Sequence, residues 1–489
     1  MNTQNIIMVS VILVKLLSSG FLLLFGKSIG RFAKWISLLV SFSSFGLFLV
    51  FIPALQNGEI PSVVFDYLPT MGIQFSLKID WLAFPFLLTE ELVTIFAIVY
   101  ALDYVKTDDR SHTFYALLLM FSAGMSGTTL ANDIFLFYFF WELMLIASSI
   151  LVLNWGESEK RNGVTLKYFI ITHLGSLLVL VAFIMIYTQT GVDNFSAIKA
   201  GLQANPEQIP LIGSLFLLGF GVKMAVVPFH IWLPDTHSEA PMPVTIMLAA
   251  AMLSMGTYGI LRFPMSSLSA MQFSMFALPM MIVGVVSEIY GASMALVEKD
   301  IKRIIAYSSV SQMGYILYGL GTQTYSGIVG ATLHVIYHAI VKALLFCCVG
   351  WIIKATGKRD IQALGGMHKK DPLLTVCMVL GGLSIMGVPA LAIFNSEWMI
   401  FSSGFQTPYT GLAMLEILGS ILTTAYILRF IGKIFFTSQD EEFSIQKVPF
   451  SIKLATVSLT ILTITAGLFP KPLFNYVVNE LPLILGGQW

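Results

Sequence analysis

Long apolar runs separated by short polar interruptions recur from one end of this chain to the other. Segments such as "FIITHLGSLLVLVAFIMIY" from Phe169 and "LATVSLTILTITAGLF" from Leu454 are near or above the length that crosses a hydrocarbon core. Cutting the sequence at polar and Pro/Gly-rich breaks predicts about fourteen spans. They cover residues 5–25, 31–53, 80–102, 114–131, 133–153, 165–188, 208–231, 243–264, 272–296, 305–321, 326–352, 372–402, 410–436 and 451–470. The stretch 54–79 alternates in places ("IQFSLKID") and suits a short hairpin. A transmembrane barrel would instead alternate over about ten residues per strand. The pattern predicts an all-α polytopic membrane protein, with no connection long enough for a soluble domain. The first segment, from about Asn5 to Leu24, has no basic region before it and no small-residue cleavage site, so it reads as a retained helix rather than a signal peptide.

Composition agrees. Of the 489 residues, 56% are hydrophobic and 11% charged, with a mean hydropathy of +0.83, against about 25% charged in a soluble domain. The formal net charge is zero and suggests no nucleic-acid partner. Cys347, Cys348 and Cys377 lie in apolar helical runs without metal-ligand spacing and read as small buried hydrophobes. Basic residues gather after odd-numbered spans, as in Lys27, Arg31 and Lys34 or Lys299, Lys302 and Arg303, whereas even-numbered loops hold little beyond Lys78, Lys199 and Arg262. The positive-inside rule then places the odd loops in the cytoplasm of a plasma-membrane protein, with both termini outside.

A charge at the centre of a membrane helix costs about 2.5–3.5 kcal/mol. Glu142, Lys223, Glu288, Lys342, Glu397 and Glu416 nevertheless lie well inside apolar runs, joined by His173, His334 and His338 and by Lys15, Glu90 and Glu91. Structural ion pairs account for one or two such groups; this many point to an ion path. Glu142, in "FLFYFFWELMLIASS", has no counter-charge on its own helix, and Lys223 lies in "LLGFGVKMAVVPFH" just before Pro228. A Glu–Lys pair across two helices would couple the protonation of each to the other; a fixed stabilising bridge is the alternative.

The run "TLHVIYHAIVKALLFCC" puts His334, His338 and Lys342 at steps of four, one drifting stripe on a helix. Imidazole titrates near neutral pH, so the stripe suits a proton relay, with His338 the better single candidate. Packed polar groups are a second reading, and a zinc pair a third that lacks an HExxH glutamate or further ligands. In "FHIWLPDTHSEAPMP", residues 229–243, Pro234, Pro241 and Pro243 follow Pro228 and break or end the seventh span at membrane depth. Exposed backbone is tolerated there only where protein buries it or water reaches it. His230, Asp235, His237 and Glu239 would satisfy those groups or meet water entering toward Lys223; an interfacial loop with ordinary surface residues is the alternative.

These motifs resemble the antiporter-like ion-pumping subunits found in respiratory complex I, in Mrp sodium/proton antiporters, and in membrane-bound hydrogenases and sulfur reductases. "VPFHIWLPDTHSEAPMPV", "NDIFLFYFFWEL", "EKDIKRIIAYSSVSQMGYIL", "HAIVKALLF" and "GVPALAIFNSEW" fall in that family's order and spacing over nearly the whole chain. The resemblance implies fourteen helices with two inverted five-helix repeats, about 114–264 and 272–436, after N-terminal helices in 1–113 and before a C-terminal helix in 437–489. It implies two proline-broken helices, the seventh and twelfth, with Pro389 the counterpart of the break after Lys223, and two half-channels meeting along a polar axis. Glu142 then matches the key glutamate of the fifth helix, and Lys223 the lysine whose protonation follows its pairing with Glu142. His334, His338 and Lys342 match the eleventh-helix stripe, and Glu397 the twelfth-helix exit position. Glutamate rather than lysine at that exit is similar to the subunit M type of complex I. One departure stands out: where the family carries lysine or histidine on its eighth helix, "TIMLAAAMLSMGTYGILRF" has Ser254 and Ala249, and a hydroxyl holds no charge at neutral pH. Glu288 and Glu416 are candidates to substitute for that base, or structural partners of Lys342.

The function expected is proton translocation, or sodium translocation, as a subunit of a redox-driven oxidoreductase complex. No CxxC cluster, dinucleotide glycine fingerprint or haem pattern is visible, so the chain is expected to carry no cofactor of its own and its partners to carry Fe–S clusters and other redox centres. The "GFG" at Gly219–Gly221 reads as close helix packing. Expected partners are other antiporter-like and small membrane subunits, quinone- or hydrogenase-module subunits, and lipid. An Mrp-type Na⁺/H⁺ antiporter subunit is the rival reading. A membrane scaffold that has lost transport is a third, supported only by the missing eighth-helix base.

Overall fold

The computed structural model describes residues 3–484 apart from 69–72, 107, 109, 192 and 439–444. It opens with α1 (Thr3–Leu49), in which Ile29 leaves helical geometry at φ −122° and ψ 15°. The Ser44 hydroxyl donates to the Val11 carbonyl at 3.1 Å, so the two arms fold back on one another. The expected first and second spans are thus present, but a kink rather than a loop joins them. After α2 (Ile52–Gln56) comes the expected hairpin, β1 (Ser62–Leu68) paired antiparallel with β2 (Ile73–Lys78). The Ser76 amide donates to Asp133 Oδ2 at 2.8 Å, and Asp133 Oδ1 accepts from the Leu136 amide at 2.7 Å. One carboxylate therefore ties the hairpin down and caps the helix that carries Glu142.

The helices that follow are α3 (Ala83–Tyr104), α4 (Ser111–Leu130), α5 (Ile134–Trp155), α6 (Arg161–Thr190) and the short α7 (Phe195–Ala204). Gly191, at φ 66°, ends α6 in the left-handed conformation that glycine adopts without strain. Next, α8 (Ile209–Met224) stops at Ala225 and is followed by a 3₁₀ turn (Phe229–Trp232), α9 (Leu233–Glu239) and α10 (Met242–Met247). A π-turn (Leu248–Met252), α11 (Ser254–Ile260) and a second π-turn (Leu261–Met265) complete that passage.

The rest comprises α12 (Ala270–Val297), α13 (Ile301–Gly321), α14 (Tyr325–Thr356) and the single turn α15 (Met367–Lys370). Then come α16 (Pro372–Ile385), α17 (Phe394–Gly404), α18 (Thr410–Ile431), α19 (Phe450–Leu468) and α20 (Lys471–Ile484). Side-chain caps mark several starts: Ser269 with Gln272 for α12, Asp300 for α13 and Thr324 for α14. Among the described residues, eleven helical stretches are long and apolar enough to cross a membrane, with α1 and α2 counted together.

Helix α14 and the 242–265 passage form the interior, while α1, α6, α12 and α18 turn apolar side chains such as Leu24, Leu174, Met271 and Ile421 outward. Lipid is as apolar as leucine, so close contact between small residues, rather than burial of oil, holds membrane helices together. Between α12 and α13 an added Cβ at Gly284, Gly291 or Gly314 would lie 2.5–2.7 Å from a backbone nitrogen of the facing helix. Those glycines bring the two helices together and set the position of Glu288.

Candidate functional site

The first cluster forms where α8 breaks. Lys223 lies in the last turn of α8, 2% exposed, two residues before Ala225, whose φ of 57° ends the helix. Trp232 Nε1 donates to the Val222 carbonyl at 3.0 Å, and the Val227 amide donates to the Ser287 hydroxyl at 2.9 Å. Backbone groups freed by the break are thereby satisfied from within the protein. The Lys223 ammonium sits 5.2 Å from the centroid of Trp141 and has no hydrogen-bond partner among the described residues.

Glu142, the neighbour of Trp141 on α5, faces α6 instead. Ser176 donates to its Oε1, and His173 Nδ1 lies 3.1 Å from its Oε2. The ion pair between Glu142 and Lys223 expected from the sequence is not formed within 4.0 Å in this conformation, because α6 supplies the carboxylate's partners. The sequence marked His173 only as one more ionisable group and gave Ser176 no role.

The proline-rich stretch is mostly buried and helical in pieces, with Ile231 exposed, which fits the broken-helix reading rather than a surface loop. Its carboxylates, however, turn toward α6, α13 and the loop before α6, and not toward Lys223. Asp235 pairs with Lys167 at 2.8 Å and Arg303 at 2.5 Å, and Glu239 accepts from the Ser158 amide at 2.9 Å and hydroxyl at 2.7 Å. Lys302 donates to the Ala240 carbonyl at 2.7 Å and pairs with Glu157 at 2.8 Å. His230 packs edge-on against Tyr290, and His237 is fully buried against Phe346.

A second cluster lines α14. His334, His338 and Lys342 are all buried along one stripe. His334 places Nδ1 3.2 Å from the Ser396 hydroxyl and Nε2 3.0 Å from Gln312 Oε1, and its ring stacks toward that of His338 at 6.5 Å. Neither nitrogen of His338 has a partner among the described residues, while Lys342 donates to the Ile305 carbonyl at 3.0 Å and to Ser308. Both His334 nitrogens are thus engaged by α13 and α17, and no group of three His, Cys, Asp or Glu is arranged for a metal among the described residues.

Glu397 occupies the first turn of α17, beyond the break at 386–393. Gly387, at φ 67°, leaves room for its carboxyl: a Cβ there would fall 1.8 Å from Glu397 Oε2. Ser396 beside it reaches His334, so α17 meets the stripe directly. The two breaks share a plan. Each holds an alanine in left-handed geometry, Ala225 at φ 57° and Ala390 at φ 70°. Lys223 stands at a helix C-terminus and Glu397 at an N-terminus, the end whose partial charge favours each ion.

Ser254 and Ala249 lie buried where the eighth-helix base was expected. The Ser254 hydroxyl donates to the Ala251 carbonyl of its own helix at 2.5 Å, and the preceding π-turn is a distortion common at functional sites. Arg262, further along, is bound bidentately by Asp80 at 2.6 and 2.7 Å. Glu288 and Glu416 do not partner Lys342, whose bonds go to α13; they face each other across α12 and α18. Lys15 lies 2.6 Å from Glu91 and 3.6 Å from Glu90, an ion cluster of its own among α1 and α3.

Comparison with known proteins fits this architecture. Residues 131–423 match the family described as NADH:quinone oxidoreductase/Mrp antiporter, transmembrane. An NAD(P)H-quinone oxidoreductase chain 4 of Trichormus variabilis is 31% identical over 460 residues, covering 90% of this chain and 84% of its own length. A chain of the archaeal membrane-bound sulfane sulfur reductase superposes with a TM-score of 0.86 at 28% identity, over 96% of this chain and 77% of that one. A chain of the Mrp complex from a Dietzia species shares the fold, with a TM-score of 0.90 at 21% identity over 100% of this chain and 98% of that one. The chain therefore belongs to the NADH:quinone oxidoreductase/Mrp antiporter transmembrane family.

Proposed function

We propose that this chain is a proton-translocating subunit of a redox-driven membrane complex, with both termini on the outer side of the plasma membrane. The observation that carries the reading is Lys223, buried at a helix break with no hydrogen-bond partner among the described residues and close to a carboxylate held by other groups. When Glu142 leaves His173 and Ser176 for Lys223, the ammonium is stabilised and holds a proton. When Glu142 returns to α6, Lys223 loses its counter-charge and gives the proton up toward His338, with His334, Lys342 and Glu397 completing the route. Electron transfer in partner subunits, which hold the Fe–S clusters and other redox centres, drives the alternation. Those partners include further antiporter-like and small membrane subunits and a quinone- or hydrogenase-type module.

Mrp-type exchange of Na⁺ for H⁺ without redox chemistry is the second reading, favoured by the shared fold with the Mrp chain. Reconstitution of the parent complex in proteoliposomes, energised with the donor its co-purifying subunits imply, separates the two. Redox-dependent lumen acidification that persists with a sodium ionophore is the expected result. Sodium-driven proton exchange, with no redox subunits present, would overturn it.

A further inference from the structure

Glu288 on α12 and Glu416 on α18 are both fully buried, and their carboxyl groups lie within hydrogen-bonding reach of each other. None of their four oxygens has a well-formed hydrogen bond from a donor among the described residues, and no described lysine, arginine or histidine lies within 4.0 Å. The Tyr315 hydroxyl, also buried without a well-formed partner among the described residues, approaches Glu288. Two ionised carboxylates in such surroundings repel strongly, whereas one proton between them turns the repulsion into a charge-assisted hydrogen bond.

The place is built for this contact. Gly419, three residues beyond Glu416, leaves the space that the Glu288 carboxyl fills: a Cβ there would fall 1.8 Å from Glu288 Oε1. Tyr315 links the pair inward, its ring stacked on His334 at 5.6 Å. The ionisable groups facing the pair are Tyr315 and Tyr318 from α13, Glu397 from α17 and Tyr426 from α18, with His334 of α14 behind the Tyr315 ring. Helix α16 offers no Asp, Glu, His, Lys or Arg; Arg262, in the turn packed on α12, is bound to Asp80; and Arg429, near the end of α18, donates to the Glu298 carbonyl. On α8, which also touches α12, Lys223 lies over Trp141.

We propose that Glu288 and Glu416 share one proton and form a proton-holding site to the side of the α14 stripe, joined to it through Tyr315. At rest the pair carries one proton and one negative charge. A second proton arriving from the stripe converts it to two neutral carboxyl groups, and its release restores the charged pair. The part this site plays in transport rests on the function proposed above; the shared proton does not.

Infrared difference spectra of the purified complex across a pH titration test it. The expected result is a C=O band of a protonated carboxylic acid at neutral pH that shifts in both Glu288→Gln and Glu416→Gln, shifts in Gly419→Ala, and is absent from the double glutamine variant. Two bands, each lost in only one single variant, or no band lost in the double variant, would overturn the shared proton. Bleaching of the band by sodium salt but not choline salt would overturn it in favour of a sodium site. In proteoliposomes the double variant should lower protons pumped per electron by more than half. Unchanged pumping there, in a complex that Glu142→Gln silences, would remove the pair from transport while leaving the main reading standing.

Discussion

The Nδ1 of His173 lies 3.1 Å from Oε2 of Glu142, so the carboxylate that would neutralise Lys223 is held on α6 while the lysine remains over Trp141. In the exchange proposed above, this is the arm with the carboxylate docked away from the amine. Glu142→Gln keeps the shape and removes the charge, and the expected outcome is a complex that assembles but does not acidify the lumen. His173→Ala loosens the docked arm and should slow pumping several-fold without abolishing it. Normal pumping by Glu142→Gln would make this carboxylate structural.

Ser254 supplies a second test. Its hydroxyl is engaged by the Ala251 carbonyl within its own helix and reaches no charged group of the described residues. Ser254→Ala is therefore expected to leave the pumping rate unchanged in the same assay. A large loss would place that hydroxyl on the proton path.

Gly387 carries a prediction because its missing side chain is what admits the Glu397 carboxyl. Gly387→Ala should displace that group and reduce pumping as much as Glu397→Gln does, with the complex still assembled on native gels. A variant that pumps as well as the parent would show that the carboxyl need not sit there.

The ion pair of Asp80 and Arg262 carries a prediction about stability. Burial opposes the Asp80 charge, yet the Arg262 guanidinium, with two hydrogen bonds, holds its carboxyl well below the usual carboxylate range. A depressed folded-state pKa means that the stabilisation is present above the unfolded value of about 3.9 and is lost as pH falls below it. Asp80→Asn leaves a buried guanidinium uncompensated and should cost about 3–5 kcal/mol near neutral pH. Thermal unfolding in detergent should show parent and variant converging as the pH drops below about 4; a gap that persists in acid would refute the ion-pair origin.

The second break carries strain that can be relieved. Ala390, at φ 70°, sits where an L-residue pays about 1–2 kcal/mol, so Ala390→Gly should raise thermal stability by up to about 1 kcal/mol. Gly467→Ala should lower it, although alanine is the better helix former by about 1 kcal/mol. A Cβ at Gly467 would lie 2.5 Å from the Leu391 Cα and the Ala390 carbonyl oxygen, neither of which can move without shifting the break. A more stable Gly467→Ala protein would contradict that packing.

Much of the architecture was legible because membrane helices announce themselves by apolar length, and because Pro228 and Pro389 remove backbone donors where the seventh and twelfth spans stop. The His334–His338–Lys342 stripe followed from spacing alone. Other features depend on packing across helices. His173 and Ser176 lie 31 and 34 residues from Glu142, and their contact with it is set by how α5 and α6 are rotated against each other. The same is true of Glu288 and Glu416, whose meeting depends on a gap at Gly419. The basic cluster from Lys27 to Lys34 suits a loop or a kinked helix equally, and α7 and α20 are too short and too polar for a hydropathy reading to find.

Lys223 and Glu397 each stand at a helix end of matching sign, and this changes what a moving side chain must accomplish. The last carbonyls of α8 and the first amides of α17 act as permanent counter-charges of about half an elementary unit, and no change of rotamer can withdraw them. A carboxylate that approaches or departs then supplies only the remaining part of each ion's stabilisation. Small displacements suffice to tip such a balance, and the lysine is never left facing bare hydrocarbon while its partner is elsewhere. In the proposed mechanism the broken helices thus serve as fixed bias on a switch whose throw is short.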